Sequence, residues 1–148
     1  MKKKQIDVSL VLPCYNEAKL FDESVKRIVS TLQNTKFTYE IIFVDDKSSD
    51  STVSKIRKTP YRCIAHTVNL GRGRTVADGI RAAQGTVVGY IDIDCEVDPV
   101  YIPSMVSRIL ERRADVVIGK RYYRSSPKAM LREVLSRGYH WVSVSDGS

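Results

Sequence analysis

Two aspartates separated by one residue, Asp92 and Asp94, follow the apolar run Thr86 to Ile91. A strand that turns into a loop here can direct both carboxylates at one hard cation, which usually completes its shell with water and substrate phosphates. The pattern predicts a site for one hard cation beside a phosphate-bearing substrate. A pair of this kind also ends many strands without any function, so the metal hypothesis depends on the other acidic residues of the chain.

Two other apolar runs also lead into carboxylates: Val8–Leu12 precedes Glu17, and Glu40–Val44 precedes Asp45 and Asp46. If these runs are parallel strands, their carboxyl ends share one edge of the sheet, and ligands of open α/β sheets bind there. Carboxylates gathered at one edge repel each other unless a cation or hydrogen-bond donors lie between them. We therefore predict one functional cleft at this edge, although each cluster alone could be a helix cap or a turn.

Apolar runs and helical patterns alternate along the chain, which predicts an α/β fold with a mostly parallel, Rossmann-like sheet covered by helices on both faces. Short, nearly continuous apolar runs are typical of strands buried on both faces. The predicted strands are Val8–Leu12, Glu40–Val44, Cys63–Thr67, Thr86–Ile91 and Asp115–Ile118.

Four helices are predicted between and after these strands, from apolar residues at helical spacing. Asn16 is the expected cap of the first, and Asp50 or Ser49 of the short second one. The first helix has the apolar positions Phe21, Val25, Ile28, Val29 and Leu32.

The third helix is expected to begin in Gly71–Gly73 and the fourth at Pro99, a residue that suits a helix start. The stripe expected to be buried on the third is Val76, Ile80 and Ala83. The stripe expected on the fourth is Ile102, Met105, Val106, Ile109 and Leu110.

The segment Asn69–Arg74, which we call the glycine-rich segment, follows the third predicted strand. A dinucleotide-binding domain needs its glycine motif after the first strand, where this chain has Pro-Cys-Tyr-Asn-Glu, and a P-loop needs a Lys-Ser/Thr ending. Backbone N–H groups at a helix start, beside Arg72 and Arg74, could instead seat a diphosphate or form a lid over one. The alternative is a helix-opening turn with solvated arginines.

Composition sets bounds on the class of protein. The 148 residues suit one domain, 1–148, with a hydrophobic core. The net charge of +7 favours phosphate-bearing partners, but no nucleic-acid-binding signature is present, so no nucleic-acid partner is predicted. The three cysteines form no C-x-x-C pair, which favours reduced thiols in the cytoplasm. No apolar stretch reaches the roughly 20 residues needed to cross a bilayer.

Five segments in this order resemble the family 2 glycosyltransferases of GT-A fold, and most closely the branch that acts on polyprenyl or dolichyl phosphate. They cover most of the chain, from about Asp7 to Arg124. The segments are VLPCYNE, EIIFVDDKSSDST, NLGRGRTVADGIRAAQG, YIDIDCEVDP and ADVVIGKRY.

The resemblance implies roles for residues in the first two segments and in the D-x-D pair. Pro13, Tyr15 and Glu17 would line a nucleotide pocket, and Asp45 or Asp46 would contact the base or ribose. Asp92 and Asp94 would reach the metal and, through it, the diphosphate of the donor.

Three positions depart from the family pattern. Glu96 stands where relatives often have Gln, and it would add a metal oxygen or a sugar contact. Arg74 stands where many relatives have Lys. Gly119-Lys120-Arg121 replaces a G-S-R element, so Arg121 would bind an acceptor phosphate.

The implied activity is inverting transfer of a hexose from a nucleotide sugar of the GDP-mannose or UDP-glucose type, dependent on Mg²⁺ or Mn²⁺. The acceptor implied is a polyprenyl phosphate, which is already ionised and needs no general base. A saccharide hydroxyl acceptor would need one, and the sequence offers no obvious histidine or carboxylate for that role. Two alternatives stay open: a sugar nucleotidyltransferase and a catalytically silent nucleotide-binding module.

The region after Lys120 is strongly basic. Its cations could hold the acceptor phosphate, rest on an anionic membrane at about 1 kcal/mol per basic residue, or be a solvated helix face. A peripheral position at the cytoplasmic face of a membrane is therefore compatible with the sequence. The residues concerned are Lys120, Arg121, Arg124, Lys128, Arg132 and Arg137.

Members of the resembled family generally extend well beyond this length after the G-S-R element. We therefore expect the chain to lack the C-terminal part of the family domain. We also expect self-association, as a homo-oligomer, that covers the apolar surface left bare.

Overall fold

The computed structural model describes residues 5–119. The order of elements is β1 (Val8–Cys14), α1 (Phe21–Gln33), β2 (Tyr39–Asp45), α2 (Thr52–Ile56), β3 (Arg62–Ala65), α3 (Arg72–Ala82), β4 (Val87–Tyr90), a 3₁₀ turn (Pro99–Tyr101) and α4 (Ile102–Leu110).

The predicted α/β arrangement is confirmed, because the four strands form one parallel sheet in the order β3-β2-β1-β4. Val8, at the start of β1, lies opposite Tyr39 of β2 and Val87 of β4. The carboxyl ends of the strands therefore lie at the same edge of the sheet. The third and fourth strands are shorter than predicted, and both are partly exposed, since each lies at a margin of the sheet.

Helices cover both faces of the sheet, as predicted. On one face, Leu10 and Leu12 pack in a core with residues of α1 and α4. The ring of Phe21 lies 5.4 Å from that of Phe43. On the other face, Val11 packs with Ile42 and residues at the end of α3. The stripe predicted for α1 is confirmed, with Phe21, Val25, Ile28 and Leu32 buried.

The stripe predicted for α3 is wrong in part, since Ile80 is 44% exposed and the buried residues of this helix are Thr75 and Gly79. A side chain at Gly79 would collide with Val11 and Val44. The helix therefore approaches the sheet through a glycine, and this close approach sets the rotation that leaves Ile80 outside.

The caps also differ from expectation. α1 begins after Leu20, and Asn16 is held elsewhere: its backbone lies at φ 57°, and its Oδ1 accepts a hydrogen bond from the N–H of Ser49 at 2.8 Å. The N-cap position of α2 is Ser51, whose side chain makes no capping hydrogen bond. Asp50 accepts the N–H of Thr52 at 2.9 Å, so Asp50 supplies the expected bond from one position before the cap.

The fifth predicted strand, Asp115–Ile118, is not formed, and within residues 5–119 this run pairs with no other strand. Ile118 is 83% exposed and Val116 72%. A run of this length gains its ladder hydrogen bonds only from a neighbouring strand, so apolar composition alone does not make the run a strand.

Among the described residues, no helix is long and apolar enough to cross a membrane.

Candidate functional site

A cleft of about 460 Å³ lies at the carboxyl edge of the sheet, next to the start of α3. Six of the residues predicted for a ligand site line it: Pro13, Tyr15, Glu17, Asp46, Asp92 and Asp94. Parallel pairing explains the convergence, because the loops after β1, β2 and β4 leave the sheet at the same edge. The functional roles predicted for these residues stay predictions.

Three other predicted residues do not line the cleft. Asp45 is buried, and its Oδ2 accepts the N–H of Ser48 at 2.9 Å. Arg74 pairs with Asp78 at 2.8 Å along α3. Glu96 is exposed just beyond Asp94. Arg121 and Arg124, with the rest of the basic region, lie outside the described residues, so the predicted acceptor site stays a prediction.

The loops after β1 and β2 are hydrogen-bonded to each other, which fixes one wall of the cleft. The N–H of Asn16 donates to Ser48 Oγ at 2.8 Å, and that of Glu17 donates to Thr52 Oγ1 at 2.9 Å. Tyr15 directly precedes these anchored residues and is 52% exposed. Its ring therefore has a face available to a planar ligand such as a nucleotide base.

A second wall is formed by the glycine-rich segment, and Asp46 holds it in place. Asp46 Oδ1 accepts the N–H of Leu70 at 2.7 Å, and Oδ2 accepts the N–H of Gly71 at 2.8 Å. Gly71 has a φ of 83° and precedes the first residue of α3, a conformation that favours glycine. Asp46 thus fixes the point at which α3 begins.

The electrostatic environments of two cleft carboxyls differ. Burial alone would raise the pKa of Asp46, but hydrogen bonds from His66 and from the N–H groups of Leu70 and Gly71 hold that pKa below its ordinary value. The pKa of Glu17 is raised, first by burial and then by the negative charges of Asp94, Asp50 and Asp92. The cleft therefore has a negative field around Glu17 that a cation would relieve.

The lowered pKa of Asp46 predicts acid sensitivity. A carboxyl with a depressed folded-state pKa adds stability above its unfolded-state pKa and loses it as the pH falls through the folded value. We expect Asp46→Asn to lower the free energy of unfolding near neutral pH, and the difference from wild type to shrink as the pH falls below about 4. Urea unfolding between pH 3 and pH 7 measures it, and a difference that stays constant with pH would contradict this account.

Asp92 and Asp94 are suited to a divalent metal as a pair rather than as part of a larger cage. Within residues 5–119, no group of three His, Cys, Asp or Glu side chains is placed to hold an ion. Mg²⁺ is commonly bound by one or two carboxylates plus substrate phosphates and water. Asp92 and Asp94 supply hard oxygen ligands for such a cation. The surrounding negative charge of the cleft also favours its binding.

Arg72 also lines the cleft. Its guanidinium lies 2.5 Å from Asp92 Oδ2 and 6.0 Å from the centre of the Tyr90 ring. It is the first residue of α3, so it lies beside the N–H groups that have no partner within a helix. The ion pair is exposed and adds little stability, which leaves Arg72 available to an anionic ligand.

Asn69, Gly71 and Arg72, which also line the cleft, belong to the glycine-rich segment considered above as a diphosphate seat or lid. Sequence reasoning did not assign the other lining residues, Cys14, Thr75 and Ile93. Cys14 is the last residue of β1, and this position at the carboxyl edge of the sheet could have indicated that it reaches the cleft. Burial, with repulsion from Asp45 and Glu17, raises the pKa of the Cys14 thiol well above its ordinary value, so this side chain is a neutral packing group. The hydroxyl of the buried Thr75 donates to the carbonyl of Gly71 at 2.9 Å, which stabilises the first turn of α3.

Comparison with known proteins places these features in a family. The Glycosyl transferase family 2 model matches residues 9–140. The dodecaprenyl-phosphate galacturonate synthase of Rhizobium johnstonii is 32% identical over 127 residues, which are 82% of this chain and 38% of that protein. The dolichol-phosphate mannosyltransferase of Pyrococcus furiosus is 33% identical over 138 residues, 88% of this chain and 38% of that protein.

Solved structures agree on the fold. The mannosyltransferase PcManGT of Pyrobaculum calidifontis, solved with GDP-Man and Mn²⁺, superposes with a TM-score of 0.53 at 25% identity, over 62% of this chain and 28% of that one. The glucosyl-3-phosphoglycerate synthase of Mycobacterium tuberculosis, solved with Mn²⁺ and UDP, gives a TM-score of 0.57 at 27% identity, over 71% of this chain and 40% of that one.

The chain thus spans less than half the length of the relatives it matches. The family match nevertheless covers most of the chain, from β1 onward, and the fold resemblance inferred from the five sequence segments is confirmed. This chain has the GT-A fold and belongs to glycosyl transferase family 2.

Proposed function

We propose that the cleft binds the diphosphate of a nucleotide sugar together with Mg²⁺ or Mn²⁺, and that the chain supplies the donor site of an inverting hexosyltransferase. The observation that carries the proposal is the meeting of Asp92 and Asp94 with Arg72 and the start of α3 in one cleft. Carboxylates suit the cation, while an arginine and helix N–H groups suit the phosphate oxygens. The relatives named with GDP-Man, UDP and Mn²⁺ support the same ligands.

Each wall has a separate task in this proposal. Tyr15 offers a ring face to the nucleotide base, and Asp92 and Asp94 hold the metal. Arg72 gives up its ion pair with Asp92 and binds a phosphate oxygen instead. A bound Mg²⁺ or Mn²⁺ would stabilise the charge that grows on the leaving diphosphate.

The proposed reaction breaks the bond between C1 of the sugar and the diphosphate oxygen, and the electron pair leaves with the nucleoside diphosphate. An acceptor oxygen forms the new bond to C1 from the opposite face, which inverts the anomeric centre. We propose a polyprenyl phosphate as acceptor, because its oxygen is already ionised and two similar relatives are named for dodecaprenyl and dolichol phosphate. Arg121 and Arg124 would hold that phosphate.

A saccharide hydroxyl acceptor is the second candidate, and Glu17 is the observation that favours it. A hydroxyl needs a base to take its proton. Glu17 lines the cleft, and burial is the first cause that raises its pKa, which makes it a stronger base than an ordinary glutamate. Glu17→Gln therefore separates the candidates, since it should abolish transfer to a hydroxyl and spare transfer to a phosphate.

The test is an assay of products. The chain is incubated with GDP-mannose or UDP-glucose, Mn²⁺, and either a short-chain polyprenyl phosphate or a free saccharide. Nucleoside diphosphate and a new glycolipid are the expected products with the lipid phosphate. Glycosylated saccharide alone would support the hydroxyl acceptor. In a parallel assay with a nucleoside triphosphate and a sugar 1-phosphate, release of pyrophosphate would indicate a nucleotidyltransferase. Binding without any product in either assay would indicate a silent binding module.

A further inference from the structure

His66 is a buried histidine that the proposed reaction does not use. It follows β3, its side chain is 8% exposed, and that of its partner Asp46 is 5% exposed. The His66 Nδ1 lies 2.9 Å from Asp46 Oδ1. Because the carboxylate can only accept, Nδ1 carries the proton of this bond. His66 does not line the cleft, so it acts on the site only through other residues.

The bond continues directly to the glycine-rich segment. The oxygen that His66 contacts, Asp46 Oδ1, also accepts the N–H of Leu70, and Oδ2 accepts the N–H of Gly71. The main chain of His66 is fixed as well, because its N–H donates to the carbonyl of Asp45 at 2.8 Å. The main chain of His66 is thus held in place, and its ring donates to the same carboxylate that receives the two backbone N–H groups.

The other ring nitrogen has no comparable task. Nε2 lies 3.3 Å from Asp78 Oδ2, yet within residues 5–119 it makes no hydrogen bond. Asp78 is already engaged by Arg74 and Arg81. The two nitrogens of His66 are therefore unequal: Nδ1 connects to the cleft wall, and Nε2 contributes no bond to it.

We propose that His66 is a positioning residue for the diphosphate site. Its Nδ1–H orients the Asp46 carboxylate, which fixes the N–H groups of Leu70 and Gly71 and, through them, the start of α3. This inference rests on the proposed binding of a nucleoside diphosphate at that point. It assigns Asp46 a task inside the protein, in place of contact with the base or ribose.

Three substitutions exploit the inequality of the nitrogens. His66→Asn places an amide N–H near the position of Nδ1, so it retains the donor to Asp46. His66→Gln places its amide near Nε2 and loses that donor. His66→Leu removes both nitrogens and keeps an apolar volume. A purely structural role would rank the variants by packing, whereas the positioning role separates Asn from Gln and Leu.

Two measurements are made on each variant below its unfolding temperature. Amide hydrogen exchange of Leu70 and Gly71, followed by NMR without nucleotide, reports the connection itself. Calorimetric titration with GDP and with UDP in the presence of Mn²⁺ reports the site. With Gln or Leu we expect exchange about tenfold faster and Kd about tenfold higher, which corresponds to the loss of one buried hydrogen bond to a charged group. With Asn we expect both within about threefold of wild type.

Unchanged exchange in the Leu and Gln variants would overturn the proposal, as would an Asn variant as impaired as the Leu variant. Faster exchange with an unaltered Kd would also overturn it, since the connection would then have no effect on the site. If the wild-type chain binds neither GDP nor UDP, the proposed function fails along with the positioning role. The exchange data then still report separately whether His66 orients Asp46.

Discussion

Asp94→Asn is expected to weaken the binding of a nucleoside diphosphate with Mn²⁺ by more than about 100-fold. Loss of a group that only supports a metal ligand costs 10- to 100-fold in metal affinity or activity, and loss of the ligand itself costs more. Asn keeps the oxygen that accepts the N–H of Glu96 at 3.0 Å, so the loop after β4 should hold its shape. Asp92→Asn should act similarly. Calorimetry with GDP or UDP, with and without Mn²⁺, measures both.

The matched control is Asp98→Asn. Asp98 lies in the same loop but outside the cleft, and its side chain accepts the N–H of Val100 at 2.9 Å, a bond that Asn can also accept. Its ion pair with Arg27 is exposed and contributes little. Normal affinity is therefore expected for this variant. If Asp92→Asn and Asp94→Asn also retain normal affinity, the metal assignment is wrong.

Gly85→Ala is expected to lower the free energy of unfolding by about 3 kcal/mol or more. A Cβ at this position would lie 2.5 Å from the backbone nitrogen of Ser9 and 2.8 Å from the carbonyl carbon of Val8. Backbone atoms of a central strand cannot move aside cheaply. The N–H of Gly85 also donates to Ser9 Oγ at 2.7 Å, a bond that any shift would break. Urea unfolding followed by circular dichroism measures the change.

Gly73→Ala is the control for the glycine prediction. Gly73 lies in the first turn of α3, and nothing lies within 4 Å of a Cβ built on it. Alanine is a better helix former than glycine by about 1 kcal/mol, so this variant should be as stable as wild type or more so. An equal loss of stability in both variants would mean that glycine flexibility, rather than close approach at Gly85, explains the effect.

The sequence predicted the fold where burial is strongest. β1 and β2 are buried on both faces, so their apolar runs were unambiguous, and α1 has the helical pattern of a helix packed on one side. The prediction failed where a contact elsewhere in the fold decides the outcome. The rotation of α3 depends on the close approach of Gly79 to Val11. The spacing of apolar residues does not reveal this approach, because glycine has no side chain. The run Asp115–Ile118 has strand composition but pairs with no strand in the described part of the chain.

In the candidate site, too, some features could be predicted from the sequence and others could not. The meeting of Glu17, Asp46, Asp92 and Asp94 could be predicted, because parallel strands bring their carboxyl ends to one edge. The choice between Arg72 and Arg74 could not, since it depends on where α3 begins. That point is fixed by the hydrogen bonds of Asp46, whose donors lie more than 20 residues along the chain.

The most direct test of the central claim is the location of a bound Mn²⁺–nucleoside diphosphate. Mn²⁺ broadens the NMR signals of nearby nuclei, and Mg²⁺ with the same nucleotide gives the unbroadened reference. If the cleft is the donor site, broadening is strong at the backbone amides of Glu17, Gly71 and Asp94. Little broadening is then expected at Ser9 and Gly85, at the opposite end of the sheet. Broadening centred away from the cleft, or none that depends on the nucleotide, would contradict the donor-site proposal.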